Sequence, residues 1–262
     1  MEEIKDYSIY LKRMSSVEDE KMFWFEQVAD SVDTIIDFGA SDGTLIDWIQ
    51  ARKKKEYHFI AVENDAQFQS MLKLKGIETI AEINQIKKGK IDWDRTAIVL
   101  SSVIHEIFSY LHYGEAMHLL VQIKSLGAKY LCIRDMVFDL CEKDSFHIAD
   151  QITINQFCDQ MKKSQYQKAF ESYCGYWGAV GNAYQIKHFL MKYKYQENWD
   201  RELKEWYLPL SSQEYCAIFA GDGYQIDFCN VYTNSYLKQI IGEDFAIDLT
   251  YPTHIQLITK KV

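Results

Sequence analysis

Thr34-Ile35-Ile36-Asp37-Phe38-Gly39-Ala40-Ser41-Asp42-Gly43 decides the fold. Its β-branched residues predict a short buried strand, and the glycine-bearing turn leads into a helix with Leu45, Ile46 and Ile49 on one face. Strand, turn and helix in that order open a βαβ unit, and the pattern continues on both sides. Upstream, Ser16 with Asp19 and Glu20 predicts the capped start of an amphipathic helix running through Phe23, Phe25 and Val28 to about Ala29. Downstream, residues 57–62 read as a second strand, and a helix over 65–75 stops at Gly76. A weak third strand follows at 78–81, a fourth at 97–101, a helix over 115–126 closed by Gly127, and a fifth strand at 129–134. Such alternation predicts an α/β, doubly wound, mostly parallel sheet.

From about Asp139 strand patterns vanish and aromatic residues accumulate, among them Phe157, Phe170, Tyr173, Trp177, Phe189, Tyr193 and Trp206. Residues 139–220 therefore read as a helical cap or insertion on the substrate side, and residues 1–138 with 221–262 as the core. Ser211 and Glu214 form a capping-box pattern for one more helix. Strand signals return at 224–232 and 253–260, joined by a helical turn ending at Gly242, which brings the count to seven strands and predicts an antiparallel edge on the sheet.

Length and composition fit this reading. The 262 residues are 48% hydrophobic and 26% charged, and 2 prolines and 12 glycines exclude collagen-like and disordered chains. A net charge of -9 argues against a surface devoted to non-specific phosphate binding. No basic, apolar leader opens the chain and no run approaches a membrane span, so a cytoplasmic protein is expected. The cysteines at 132, 141, 158, 174, 216 and 229 include no C-x-x-C pair, which predicts reduced core residues and no metal site. The run Arg52-Lys53-Lys54-Lys55 reads as a solvated helix C-terminus.

The turn after the first strand carries the chemistry. Glu63 ends the second strand twenty positions after Gly43, a spacing suited to a nucleoside cofactor whose ribose hydroxyls donate to the acid. A dinucleotide fingerprint needs G-x-G-x-x-G to seat a pyrophosphate, whereas this turn reads Gly39-x-x-x-Gly43, which leaves NAD as the weaker alternative. The stretch resembles motif I of the class I S-adenosylmethionine-dependent methyltransferases, hydrophobic-Asp/Glu-x-Gly-x-Gly-x-Gly, with Ser41 in place of the middle glycine. The resemblance extends over about residues 30–135 and 224–262, Glu63 matching the family's acidic motif II and residues 97–107 its motif IV. It implies a Rossmann-like methyltransferase fold, S-adenosyl-L-methionine as cofactor, and cofactor contacts from Asp37, Gly39, Ser41, Gly43, Glu63, Asn64 and Ser101.

The acceptor side is less legible. His105 and Glu106 follow the fourth strand, where that fold brings an acceptor beside the methyl group, and are candidate catalytic residues. They are no zinc signature, since Ser109 stands where H-E-x-x-H requires histidine. Arg134, at the end of strand five, and His188 and Tyr193, in the aromatic insertion, are candidate substrate contacts. An aromatic cap suits a small or medium-sized organic acceptor, methylated on oxygen or nitrogen. Two alternatives stay open: an RNA methyltransferase using Lys187, Lys192, Lys194, Arg201 and Lys204 near stackable rings, and a non-catalytic S-adenosylmethionine-binding protein.

Overall fold

The computed structural model describes residues 17–52, 55–86, 88–149 and 152–262. Ser16, Lys53 and Lys54 lie outside the described residues, so the expected Ser16 cap and the middle of the basic run are not described. Nine strands occur among the described residues: β1 (Thr34–Phe38), β2 (His58–Val62), β3 (Glu78–Ile80), β4 (Thr96–Ser101), β5 (Tyr130–Met136), β6 (His147–Ala149), β7 (Ile152–Thr153), β8 (Tyr224–Tyr232) and β9 (His254–Lys261). Seven of them form one sheet in the order β3-β2-β1-β4-β5-β9-β8, and β6 and β7 pair as a separate ribbon.

The first five strands of the sheet are parallel, and β9 lies antiparallel between β5 and β8. The reversed strand is therefore one place in from the edge, and the edge strand β8 runs with the parallel set. Side chains alternate along each central strand and both faces are buried, as expected of a sheet covered on two sides. Ile36, Ile98, Leu100, Leu131, Ile133, Ile255 and Leu257 enter one core. Ile35, Ala97, Val99, Tyr130, Cys132 and Ile258 enter the other.

Helices close both layers. On the Ile35 face lie α1 (Glu18–Lys21) and α2 (Phe25–Val28), two short pieces in place of the one continuous helix expected, together with α3 (Thr44–Arg52). Beside them α4 (Ala66–Leu74) begins at Asp65, whose carboxylate accepts from the backbone N–H groups of Gln67 and Phe68, and ends before Gly76 with φ +75°. On the Ile36 face lie α5 (Ile104–Tyr110) and α6 (Tyr113–Ser125).

The insertion supplies α7 (Ile154–Met161), α8 (Gln167–Trp177), α9 (Ala183–Leu190), α10 (Trp199–Glu202) and α11 (Ser212–Phe219). The Ser211 capping box forms as read, with Ser211 Oγ accepting from Glu214 N. Between β8 and β9 the chain makes a full helix, α12 (Ser235–Phe245), which runs past Gly242. Its Leu237, Ile240, Ile241 and Phe245 join Phe157, Phe170, Tyr173, Phe189 and Tyr193 in one aromatic core. That core belongs jointly to the insertion and α12. Lys187 fastens it to the sheet, its buried ammonium bonding Glu142, Val137 O at 3.2 Å and Pro252 O at 2.8 Å. All six cysteines are free; Cys132 is buried and Cys158, Cys174 and Cys216 pack half-buried against the cores, while the core placement expected of Cys141 and Cys229 is corrected, since both are exposed.

Asp135, on β5, organises the start of α5. Its Oδ2 accepts from Ile104 N at 2.6 Å, and Oδ1 lies 2.8 Å from His105 Nδ1. Burial works against charge on His105, yet the carboxylate outweighs it and holds the imidazole above its usual range, while His105 and two backbone N–H groups hold Asp135 below its own against burial. Asp135→Ala removes a helix cap and strands an imidazole in the interior. We expect a loss of about 3 to 5 kcal/mol in denaturant unfolding; an unchanged midpoint would contradict the assignment.

Candidate active site

A cavity of about 840 Å³ opens at the carboxyl ends of β1, β2 and β4. That is the topological switch point of the sheet, where β1 is flanked by β2 on one side and β4 on the other. Its floor is the turn after β1. Gly39 N donates to Val62 O at 2.8 Å, and Asp42 caps α3 by accepting from Thr44 N at 3.0 Å. Gly39 and Gly43 have φ of +75° and +84°, and at Gly39 a Cβ would fall 2.5 Å from Val103 Cγ2. Ser41, at the place of the family's middle glycine, also takes a left-handed conformation, φ +50°. The backbone shape a glycine would supply is kept, at a cost of roughly 1 kcal/mol.

Ser41 N donates to Glu63 Oε2 at 2.8 Å and Asp65 N to Glu63 Oε1 at 2.9 Å, so the carboxylate is clamped facing the turn. Burial raises its pKa and the two backbone N–H groups oppose the rise. Asn64 lies beside it in the cavity wall. Three polar atoms at this site are buried without a hydrogen-bond partner: Asp37 Oδ2, Ser41 Oγ and Ser101 Oγ. Burial pushes the Asp37 carboxyl up to about 7. Unsatisfied polar atoms inside a protein are costly, and three converging on one cavity mark a place for a polar ligand. All seven residues expected to contact a cofactor lie on this turn, on the strand ends beside it, or on the cavity wall.

The acceptor candidates separate. Glu106 lines the cavity, its side chain 23% exposed, with Arg201 Nη2 donating to its Oε1 at 3.0 Å. Burial lifts its pKa to about 7, the negative Glu205 adding to the rise and Arg201 opposing it. His105 does not line the cavity, so the expectation that it faces the acceptor is corrected. Its ring is spent on Asp135 and packs edge-on against Tyr207, centroids 5.2 Å apart.

Arg134, His188 and Tyr193 are likewise corrected as cavity contacts. The Arg134 guanidinium is buried and bonds Glu20 Oε2 at 2.7 Å and Ser102 Oγ at 2.8 Å. His188 lies inside the insertion, Nδ1 2.9 Å from the Tyr173 hydroxyl and Nε2 accepting from Tyr207 N at 3.2 Å. The Tyr193 hydroxyl donates to Asp244 at 2.7 Å. Each is held by internal partners, and of residues 139–220 Arg201 alone lines the cavity among the described residues.

Lys21, Ser102 and Tyr110 also line the cavity, although no motif in the sequence marks them as site residues, and so does Arg201, read from the sequence only as one of the bases for the RNA alternative. Ser102 carries a weak signal, as the second of two serines at the end of β4. Lys21 carries none: it follows Glu18-Asp19-Glu20 in the acidic first turn of the expected helix, where a lysine reads as solvated. No group of His, Cys, Asp and Glu suited to a metal ion occurs among the described residues, and no described helix is long and apolar enough to cross a membrane.

No known protein-family model and no curated protein matches the chain. Among solved structures, a SAM-dependent methyltransferase from Archaeoglobus fulgidus matches 98% of this chain and 100% of its own, with TM-score 0.50 and 12% identity. This chain has the class I methyltransferase fold. The MccD protein matches 95% of this chain and 99% of its own at TM-score 0.51 and 10% identity. Likeness at such identity shows the fold alone, not an acceptor.

The Asp37 carboxyl stands at about 7 in the folded protein against an ordinary 3.8. Between those values the folded state keeps a proton that the unfolded chain releases, so this group's contribution to stability falls as pH rises from about 4 to about 7. Asp37→Asn cannot ionise. It should melt above wild type by about 3 to 10 °C near pH 8, with the gap closing toward pH 4. Parallel melts at the two pH values check this; a variant that melts lower at both would contradict the burial of an unpaired acid.

Proposed function

We propose that this chain transfers a methyl group from S-adenosyl-L-methionine to an oxygen or nitrogen of a small or medium-sized organic acceptor. The observation that carries the reading is the convergence of unpartnered Asp37 Oδ2, Ser41 Oγ and Ser101 Oγ with the clamped Glu63 carboxylate on one cavity. A nucleoside with a charged amino-acid tail fits that donor and acceptor set. Glu63 would take the ribose hydroxyls, Asp37 the ammonium of the tail, and the Gly39–Gly43 turn lets the ligand approach the backbone. When bound, the cofactor's sulfonium supplies an electrophilic methyl group.

The chain's own part is then to align the acceptor, exclude water and take up a proton. Glu106 is suited to the proton transfer, because a carboxyl with pKa about 7 is poised to accept a proton near neutrality. Arg201 orients it through the 3.0 Å bond, and the insertion would thereby form the acceptor wall. His105 would act through position, holding the first turn of α5 so that Glu106 keeps its place. A carboxyl on the cavity wall, held in place by Arg201, favours an enzyme over a non-catalytic binder.

The RNA alternative loses its main support. Lys187, Lys192 and Arg201 are buried, Lys192 bonding Glu202 O at 2.8 Å and lying over the Tyr207 ring, so these bases build an internal network in place of a groove for phosphates.

Calorimetry tests the cofactor assignment. Wild type should bind S-adenosylhomocysteine, and Glu63→Ala should weaken it by about 1.5 to 3 kcal/mol; tight NADH binding without S-adenosylhomocysteine binding would refute it. With isotope-labelled cofactor, label should pass to a metabolite pool in preference to RNA. Glu106→Gln should lower that transfer about 10²-fold at unchanged cofactor affinity, whereas full transfer by the variant would remove Glu106 from the chemistry.

A further inference from the structure

We infer that the methyl acceptor is an organic amine that enters the cavity as its ammonium ion, with Glu106 as its counter-charge and Tyr110 beside it. The inference deepens the methyltransferase reading and rests on it, since it names one acceptor class where that reading allows oxygen or nitrogen. Glu106 and Tyr110 both line the cavity and stand one turn apart on α5, so their side chains share a face. The Tyr110 hydroxyl spends its proton on Glu205 at 3.0 Å, which leaves its oxygen to accept. Ser101 Oγ, on the same cavity, is buried without a hydrogen-bond partner among the described residues. Ile107 and Leu111 add apolar surface beside them. This wall offers hydrogen-bond acceptors and an apolar seat, so its ligand has to bring N–H donors on a carbon body.

Charge points the same way. Among the described residues six carboxyls line the cavity against two cations, Lys21 and Arg201, and the balance stays negative with Asp37 protonated. On the acceptor wall Arg201 is held between Glu106 and Glu205, at 3.0 Å and 2.6 Å, so one guanidinium serves two carboxylates and a negative charge is left over. A carboxylate or phosphate ester entering there would have to displace one of them and leave it buried and unpaired. An ammonium ion pairs with the surplus charge and favours the ionised form of Glu106, which burial disfavours. The bound ammonium then gives one proton to the Glu106 carboxylate, and its freed lone pair attacks the methyl carbon. The N–C bond forms as the S–C bond breaks, the electron pair of the broken bond stays on sulfur, and the positive charge passes to the methylated nitrogen. A neutral thioether and a methylammonium ion leave, and Glu106 returns its proton to water.

S-adenosyl-L-methionine with an isotopic label in its methyl carbon, incubated with the protein and a small-molecule extract of the source cells, tests this. Magnetic resonance should find the label as N-methyl, on a product that a cation exchanger retains at neutral pH. The unmethylated parent of that product should bind the S-adenosylhomocysteine complex of Glu106→Gln at least about tenfold more weakly than that of wild type. Unchanged affinity of the variant for S-adenosylhomocysteine reports that it is folded. An O-methyl product, an anionic product, or equal binding of the amine by the variant would overturn the inference and leave methyl transfer standing. No labelled product from a protein that binds S-adenosylhomocysteine would overturn the catalytic reading, and the inference with it.

Discussion

The turn after β1 and the turn after β4 press together at Gly39, where a side-chain carbon would sit 2.5 Å from Val103 Cγ2. The site depends on that approach. It lets the two neighbouring strands end side by side while their chains leave on opposite faces of the sheet, toward α3 and toward α5. The crevice between the diverging chains is the cavity. Glu63 reinforces the same geometry from β2 by accepting from Ser41 N, so three strand ends fix one another before any ligand is considered. Asp135 does the equivalent service on the β5 side by capping α5.

The cost of this arrangement falls on buried charge. Among the described residues Asp37 Oδ2 has no hydrogen-bond partner and Lys21 lines the same cavity, while Glu106 shares Arg201 with Glu205. The first two are an arrangement that a ligand completes. The second links α5 to the insertion: Tyr110 donates to Glu205 at 3.0 Å and Trp206 N to Ser109 Oγ at 2.6 Å. One wall of the cavity is thus held by hydrogen bonds from a segment whose own core is aromatic and lies elsewhere.

This division explains what the sequence reveals. Strand, turn and helix are local matters, so β1 with its turn, the acid ending β2, the Asp65 cap and the Ser211 box are legible residue by residue. Contacts between distant parts of the chain are not. Lys21 is buried because its neighbour Glu20 bonds Arg134, Tyr232 and Asn234, all more than a hundred residues away. His105, His188 and Tyr193 are plausible as site residues by type, and their internal partners, Asp135, Tyr173 and Asp244, become visible only once β5, α8 and α12 are assembled. The insertion of β9 between β5 and β8 is a choice of pairing that no strand pattern encodes. The strand patterns carry the count of seven and the class I methyltransferase resemblance implies the reversed last strand; the structure supplies the register.

The central claim is that the cavity between the β1 and β4 turns seats a nucleoside with an amino-acid tail. A crystal structure of the protein with S-adenosylhomocysteine tests it most directly. The ribose hydroxyls should lie on Glu63, the tail ammonium on Asp37 and the thioether sulfur facing Ser101 and Glu106. Density for the ligand outside this cavity, or with its tail turned away from Asp37, would contradict it.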